Sequence, residues 1–180
     1  MDKIIITTSR LVEKNGVGDL VESLKFLPDN ISLWIIGGGP EELKLKQAVS
    51  RLHLTSRVKF FGSVEPAEIP NYLAQADIFC RPSLSEGLGI SFLEAMGAGL
   101  PTIGTAVGGI PDFLQHHETG WICEVRNPES VADQVRFIIN PVNQVKVEEI
   151  VTRARKLVAE KYNWDTIAQD MGQVFQKAKI

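Results

Sequence analysis

The sequence predicts an α/β protein built on one doubly wound, parallel, six-stranded sheet with helices on both faces. Three observations predict it. Short apolar, β-branched runs alternate with segments of helical period along the 180 residues. The runs are apolar throughout, as strands covered on both faces are. Each of the first five is followed by a loop carrying glycine or arginine, and an open α/β sheet binds its ligands beyond the carboxyl ends of its strands.

Residues 3–9 form the first strand, followed by the loop Ser9-Arg10-Leu11-Val12-Glu13-Lys14-Asn15-Gly16 and a helical period through Leu20, Val21, Leu24 and Phe26. Pro28-Asp29-Asn30 punctuates the chain before the second strand, 31–36, which ends in Gly37-Gly38-Gly39-Pro40. Leu43, Leu45, Ala48, Val49 and Leu52 then share a helical face, and 57–61 is the third strand, ending at Gly62. A short helix over 66–75 starts at a proline, 77–80 is the fourth strand, 90–98 a helix and 101–106 the fifth strand. Residues 121–125 read as a shorter sixth strand. The remainder turns helical over 131–139, 146–161 and, capped by Asn163, 164 to about 178.

Length and composition fit one soluble globular domain, with 44% apolar and 23% charged residues. A net charge of −3 with interspersed signs gives no footprint for nucleic acid and no polybasic membrane anchor. No apolar run approaches the roughly 18 residues of a membrane span, and the amino terminus lacks a signal-peptide layout. The expected location is cytoplasmic. Cys80 and Cys123 stand apart, without metal-ligand spacing, and are expected as buried free thiols.

The chain is organised around Arg81 to Asp112. The turn Ser85-Glu86-Gly87-Leu88-Gly89 leads into the helix that carries Glu94. Glycines let backbone N–H groups approach a ligand, and the first helical turn adds unpaired N–H groups at the positive end of the macrodipole. That suits a phosphate or diphosphate. Glu86 and Glu94, repelled by such a group if aimed at it, are better placed to accept hydrogen bonds from hydroxyls. A diphosphate flanked by hydroxyl-bearing groups is a nucleotide sugar. In the first loop, Arg10 and Lys14 would set two cations beside the diphosphate.

The long ordered match from Glu86 through Gly87, Gly89, Glu94-Ala95-Met96-Gly97-Ala98-Gly99, Pro101 and Gly108-Gly109-Ile110-Pro111 resembles the E-x7-E segment of retaining GT-B glycosyltransferases of the GT4-type family. Further segments agree. Ala76-Asp77-Ile78-Phe79-Cys80-Arg81-Pro82-Ser83 is similar to the family's approach to the first glutamate, with Arg81 where a neutral residue is more usual. Gly37-Gly38-Gly39-Pro40 resembles the Gly-x-Gly-Pro lying under the nucleotide, and Phe61-Gly62-Ser63-Val64 the segment whose backbone reads the base. Asp112 replaces a more usual glutamate. The first loop resembles Arg-x-x-x-x-Lys-Gly with a departure: Asn15 occupies the lysine position, and Lys14 comes one place early.

The resemblance implies that the chain is one Rossmann-like half of a GT-B fold, residues 1–180 forming the C-terminal nucleotide-sugar-binding domain. Its partner would be an N-terminal acceptor domain absent from this chain, through which any peripheral membrane contact would run. Glu86, Arg10 and Lys14 are the implied catalytic residues. Gly37, Gly39, Val64, Arg81, Ser83, Gly87, Leu88, Gly89 and Glu94 are the implied donor-binding residues, with no cofactor and no metal. The implied activity is hexosyl transfer with retention, by front-face displacement, and the isolated domain is expected to be inactive. The alternative is a non-catalytic nucleotide-sugar-binding or regulatory module.

Other chemistries fit less well. Paired carboxyls can hydrolyse glycosides, but a glycosidase has no use for diphosphate-binding features. The glycine clusters at Gly37 and Gly87 both miss the last glycine of a dinucleotide fingerprint. Neither Tyr72 nor Tyr162 has the lysine four places on that an epimerase needs. His116-His117-Glu118 lacks further ligands at suitable spacing, adjacent histidines are expected to diverge, and a solvated loop is the expected state.

Overall fold

The computed structural model describes residues 2–163. Its strands are β1 (Lys3–Thr8), β2 (Ile31–Ile36), β3 (Val58–Gly62), β4 (Ile78–Arg81), β5 (Thr102–Thr105) and β6 (Trp121–Cys123). Its helices are α1 (Val17–Ser23), α2 (Glu42–Arg51), α3 (Ile69–Leu73), α4 (Ile90–Gly97), α5 (Pro128–Ile139) and α6 (Gln144–Lys161). The helix expected over 164–178 lies outside the described residues.

All strands pair in parallel, in the order β3-β2-β1-β4-β5-β6. The chain steps outward from β1 to β3, returns to lay β4 on the other side of β1, and steps outward again to β6. The order therefore reverses between β1 and β4, where an open sheet receives its ligand. Pairing there is short. Ile5↔Ile78 and Ile6↔Phe79 are in register, yet both strands run two residues further unpaired with each other, to Thr8 and Arg81. The strands part at their carboxyl ends and leave a crevice.

Alternation along the strands divides the core. Ile5, Leu33, Ile35, Cys80, Ile103 and Trp121 face one layer, with α1, α2 and α5 packed on it. Ile6, Ile36 and Phe79 face the other, where Phe92 and Met96 of α4, Leu73 of α3 and Ala154 of α6 lie. Each such fully buried aliphatic or aromatic side chain contributes about 1.5–3 kcal/mol of transfer free energy. Phe92 centres an aromatic row, edge-on to Phe79 at 5.3 Å and tilted to Phe113 at 6.0 Å. This seats α4 on the sheet and fixes the position of its amino terminus over the crevice.

Element ends differ from the sequence reading for local reasons. The stretch 66–75 is a 3-10 turn, Pro66–Glu68, followed by the five-residue α3. Pro70 has no N–H to return to the Pro66 carbonyl, which accepts from Ile69 instead. Strand β6 stops at Cys123, opposite the last residue of β5, and the Glu124 N–H turns to Ser130 Oγ of α5 at 3.0 Å. Cys80 and Cys123 are free and buried, and burial pushes the Cys123 thiol up to about 12.

Candidate functional site

Three loops meet over the crevice. The first follows β1: Leu11 is fully buried as its anchor, and a 3-10 turn, Glu13–Asn15, ends at Gly16. Asn15 is buried too, and its Nδ2 donates to the Arg10 carbonyl at 2.7 Å. The residue at the family's lysine position is thus a clamp inside the loop. Lys14, one place earlier, is exposed, as is Arg10, and both line one cavity. The Lys14 carbonyl accepts the Leu84 N–H at 2.7 Å and so ties this loop to the one after β4.

The second loop follows β2. Gly37 and Gly39 pack against the first loop and are not among the residues lining the two cavities described below. A Cβ on Gly37 would lie 1.9 Å from the Ser9 carbonyl oxygen, and one on Gly39 would lie 2.3 Å from that of Leu11. Their part is to let two backbones touch.

The third loop runs from β4 into α4. Gly87 and Leu88 are exposed in this turn, Glu86 is partly buried, and Gly89, at φ 71°, is the N-cap of α4 without a side-chain cap. The Phe92 N–H bonds the Gly89 carbonyl at 2.9 Å, and the N–H groups of Ile90 and Ser91 are left to solvent or a ligand. Ser83, another of the implied donor-binding residues, stands two places after the end of β4. Its side chain is fully buried, it lines neither cavity described below, and its carbonyl accepts Thr105 Oγ1 at 2.5 Å.

Two cavities open over the crevice. One, about 670 Å³, is lined by Arg10, Glu13, Lys14, Arg81, Glu86 and Arg126 among others. The second, about 510 Å³, lies over Thr8, Val64, Leu88, Gly89, Ser91 and Glu94 and also reaches Arg81 and Glu86. The ion pair Arg81–Glu86 stands between them. Burial pushes the Arg81 guanidinium below its ordinary range, an effect that Glu86 opposes. Burial likewise pushes the Glu94 carboxyl up, and Arg81 draws it back. Arg126, which the sequence reading did not single out, reaches the first cavity from the loop after β6 and pairs with Glu13 at 3.3 Å. It lies outside every motif used to read the sequence, and only the sheet order brings it there.

Polar atoms without partners concentrate at the same place. Among the described residues, the buried side-chain atoms lacking a hydrogen bond are Thr7 Oγ1, Thr8 Oγ1, Ser9 Oγ, Arg81 Nε, Ser83 Oγ and Trp121 Nε1. All but the last belong to the ends of β1 and β4.

The histidine pair corrects an expectation. His116 and His117 do not diverge; their rings stack at 4.1 Å, and His117 stacks in turn on Phe137 at 4.8 Å. His116 Nδ1 accepts the Ile122 N–H at 3.0 Å, so the stack holds a loop to β6 and α5. Among the described residues no group of three or more His, Cys, Asp or Glu is placed to hold a metal, and no helix is long and apolar enough to cross a membrane.

Residues 1–157 match the family model for glycosyl transferases group 1. The chain is 33% identical to the N-acetyl-alpha-D-glucosaminyl L-malate synthase of Bacillus anthracis, over 97% of its own length and 45% of that enzyme. It spans about half the length of the curated relatives it matches. HepE of Anabaena, crystallised with UDP and glucose, superposes at a TM-score of 0.91 and 24% identity, over 98% of this chain and 48% of HepE. The C-terminal domain of LpcC, a glycosyl transferase group 1 protein of Francisella tularensis, superposes at 0.78 and 26% identity, over 90% of this chain and 87% of that domain.

Proposed function

The chain belongs to the glycosyl transferases group 1 family, and from that premise we propose that residues 1–180 are the C-terminal, donor-binding domain of a retaining GT-B glycosyltransferase. The donor is a nucleoside-diphosphate sugar, seated over the carboxyl ends of β1 and β4. One observation carries the reading: Arg10, Lys14, Glu86, the uncapped start of α4 and Glu94 all line two adjoining cavities at the point where the strand order reverses.

In this reading Glu94 accepts the ribose hydroxyls and the backbone near Val64 faces the base. The diphosphate lies against the Gly87-Leu88-Gly89 turn, where N–H groups and the helix dipole favour an anion. Arg10 and Lys14 neutralise the charge that develops on the departing diphosphate, which is how such cations lower the barrier. Glu86 contacts the sugar; the bond from the anomeric carbon to the diphosphate oxygen breaks through an oxocarbenium-like transition state, the nucleoside diphosphate departs, and the acceptor oxygen bonds the same face as its proton passes to the departing phosphate oxygen. The acceptor is bound by a second, N-terminal domain, as the half-length match to the relatives supports. A reducing, cytoplasmic setting fits two buried free thiols.

Calorimetric titration of the 180-residue chain with UDP, GDP and ADP and their sugar conjugates tests the reading. At least one is expected to bind with a Kd below about 1 mM, near −4 kcal/mol. No binding by any of them would sink the site assignment.

A further inference from the structure

Arg81 and Glu86 are the two residues lining both cavities, so their ion pair forms the shared wall. Each group is held from several sides. The Arg81 guanidinium lies 4.7 Å from the centroid of the Phe92 ring. Its Nη1 donates to Ser91 Oγ at 2.7 Å and to the Thr8 carbonyl at 3.4 Å, and Nη2 donates to one Glu86 oxygen. The other Glu86 oxygen accepts the Gly87 N–H at 3.0 Å. Arg81 is 7% exposed, and the Glu86 side chain is 13% exposed.

That geometry bears on a difficulty at the site. A carboxylate beside the start of α4 repels a diphosphate bound there, and a nearby opposite charge is what removes the repulsion. A guanidinium engaged at both Nη atoms and lying over an aromatic ring does not swing out to take a phosphate, and among the described residues its Nε finds no partner. Each Glu86 oxygen, by contrast, accepts one protein hydrogen bond and keeps a lone pair for a hydroxyl.

We propose that Arg81 is the internal counterion and positioning residue of Glu86: it fixes the carboxylate on the wall between the cavities and cancels its charge, so that a diphosphate can lie alongside. The proposal rests on the donor-binding reading above. It assigns Arg81 an indirect part, in place of the direct donor contact expected from the sequence.

The test uses Arg81→Met, Glu86→Gln and the double variant, each checked for folding by circular dichroism. Each is titrated with the nucleoside diphosphate that the unaltered chain binds most tightly, with its sugar conjugate and with the uncharged nucleoside. Arg81→Met strands a carboxylate beside the diphosphate and is expected to weaken its binding by about tenfold or more, a charge effect of the size seen at short range. Glu86→Gln leaves the guanidinium without its counterion. It is expected to tighten nucleoside diphosphate binding by roughly threefold while abolishing any advantage of the sugar conjugate. The double variant is expected to return to within about threefold of the unaltered chain for the diphosphate, since both charges are gone together. Nucleoside binding is expected to stay level throughout.

A double variant as weak as Arg81→Met overturns the proposal in favour of direct phosphate contact, and an equal loss for the uncharged nucleoside overturns it in favour of a purely structural role. Where Arg81→Met does not fold, Glu86→Gln decides alone: unchanged or weaker diphosphate binding overturns the proposal. If the unaltered chain binds no nucleotide, the underlying reading falls and the proposal with it. Binding by the unaltered chain with no response in the variants overturns the proposal only.

Discussion

At the scale of single residues, Glu94, proposed to accept the ribose hydroxyls, is ionised at a cost to the stability of the fold. Burial raises its carboxyl above the ordinary 4.5, with Arg81 only partly offsetting this. A carboxyl raised in the folded state binds its proton more tightly there than in the unfolded chain, so ionising it destabilises the fold. The penalty is absent below about pH 4.5, where both states are protonated, and complete above the folded value. Glu94→Gln is therefore expected to raise the melting temperature at pH 7, and the gain should vanish in scans near pH 4. A gain of equal size at both values would rule out this account. Glu94→Ala, in turn, should weaken nucleoside diphosphate binding by roughly 1–3 kcal/mol, because ribose hydroxyls lose their acceptor; calorimetry reads the loss directly. Glu86 and Glu94 were legible in the sequence because their spacing and glycines repeat a long ordered pattern. The part proposed for Arg81 was not, because a residue five places from its partner at the end of a strand carries no periodic signal. Asn15 was equally silent. A buried amide holding its own loop looks in sequence like a missing lysine, and the structure gives it the Arg10 carbonyl.

Among the elements, the turn between β4 and α4 is held by the loop after β5. Gly108, at φ 55°, sits so close that a Cβ there would lie 1.8 Å from the Glu86 carbonyl oxygen, and the Gly109 N–H bonds the Gly87 carbonyl at 3.1 Å. The two loops cannot keep this approach with any side chain at Gly108. Gly108→Ala is expected to destabilise the domain by about 1–3 kcal/mol through strain at a positive φ. It should also weaken the sugar conjugate more than the bare nucleoside diphosphate, because Glu86 is displaced. Denaturant unfolding together with calorimetry checks both parts; a stable variant with unaltered donor binding would show the contact to be incidental. The six strands were legible because each is a short, mainly apolar run between turn signals, the pattern of parallel strands covered by helices. The end of β2 at Ile36 was legible as well, but that of β6 was not, since it stops where its partner β5 ends and α5 supplies Ser130. Such limits come from pairing across the fold. The same holds for His116 and His117, whose rings stack because Phe137 of α5 offers a flat face beside them.

For the molecule as a whole, the open side of the site decides what the chain can do alone. Leu88 and Ile90 stand at the rim of the second cavity 50% and 60% exposed, and both cavities open outward from the sheet. Every group proposed to hold the donor belongs to this chain. No residue proposed here holds an acceptor, and the chain matches 45% of the length of its Bacillus anthracis relative. Transfer needs an acceptor hydroxyl held against the anomeric carbon, and the proximity it supplies is worth about 7–11 kcal/mol of the barrier. Water at an open site competes for the same carbon. The 180-residue chain is therefore expected to bind its nucleotide sugar, show no sugar transfer, and release at most traces of free sugar by hydrolysis. Joined to the acceptor-side half of a family member, it should regain transfer, and Arg10→Ala in that joined enzyme should lower kcat by about 10²–10³-fold, the loss typical of removing one group that stabilises developing charge. A radiolabelled-donor assay with product anomers resolved by NMR measures each outcome. Efficient transfer by the chain alone would show that the acceptor site is already within it. A joined enzyme that binds donor and never transfers would place the domain among binding modules instead.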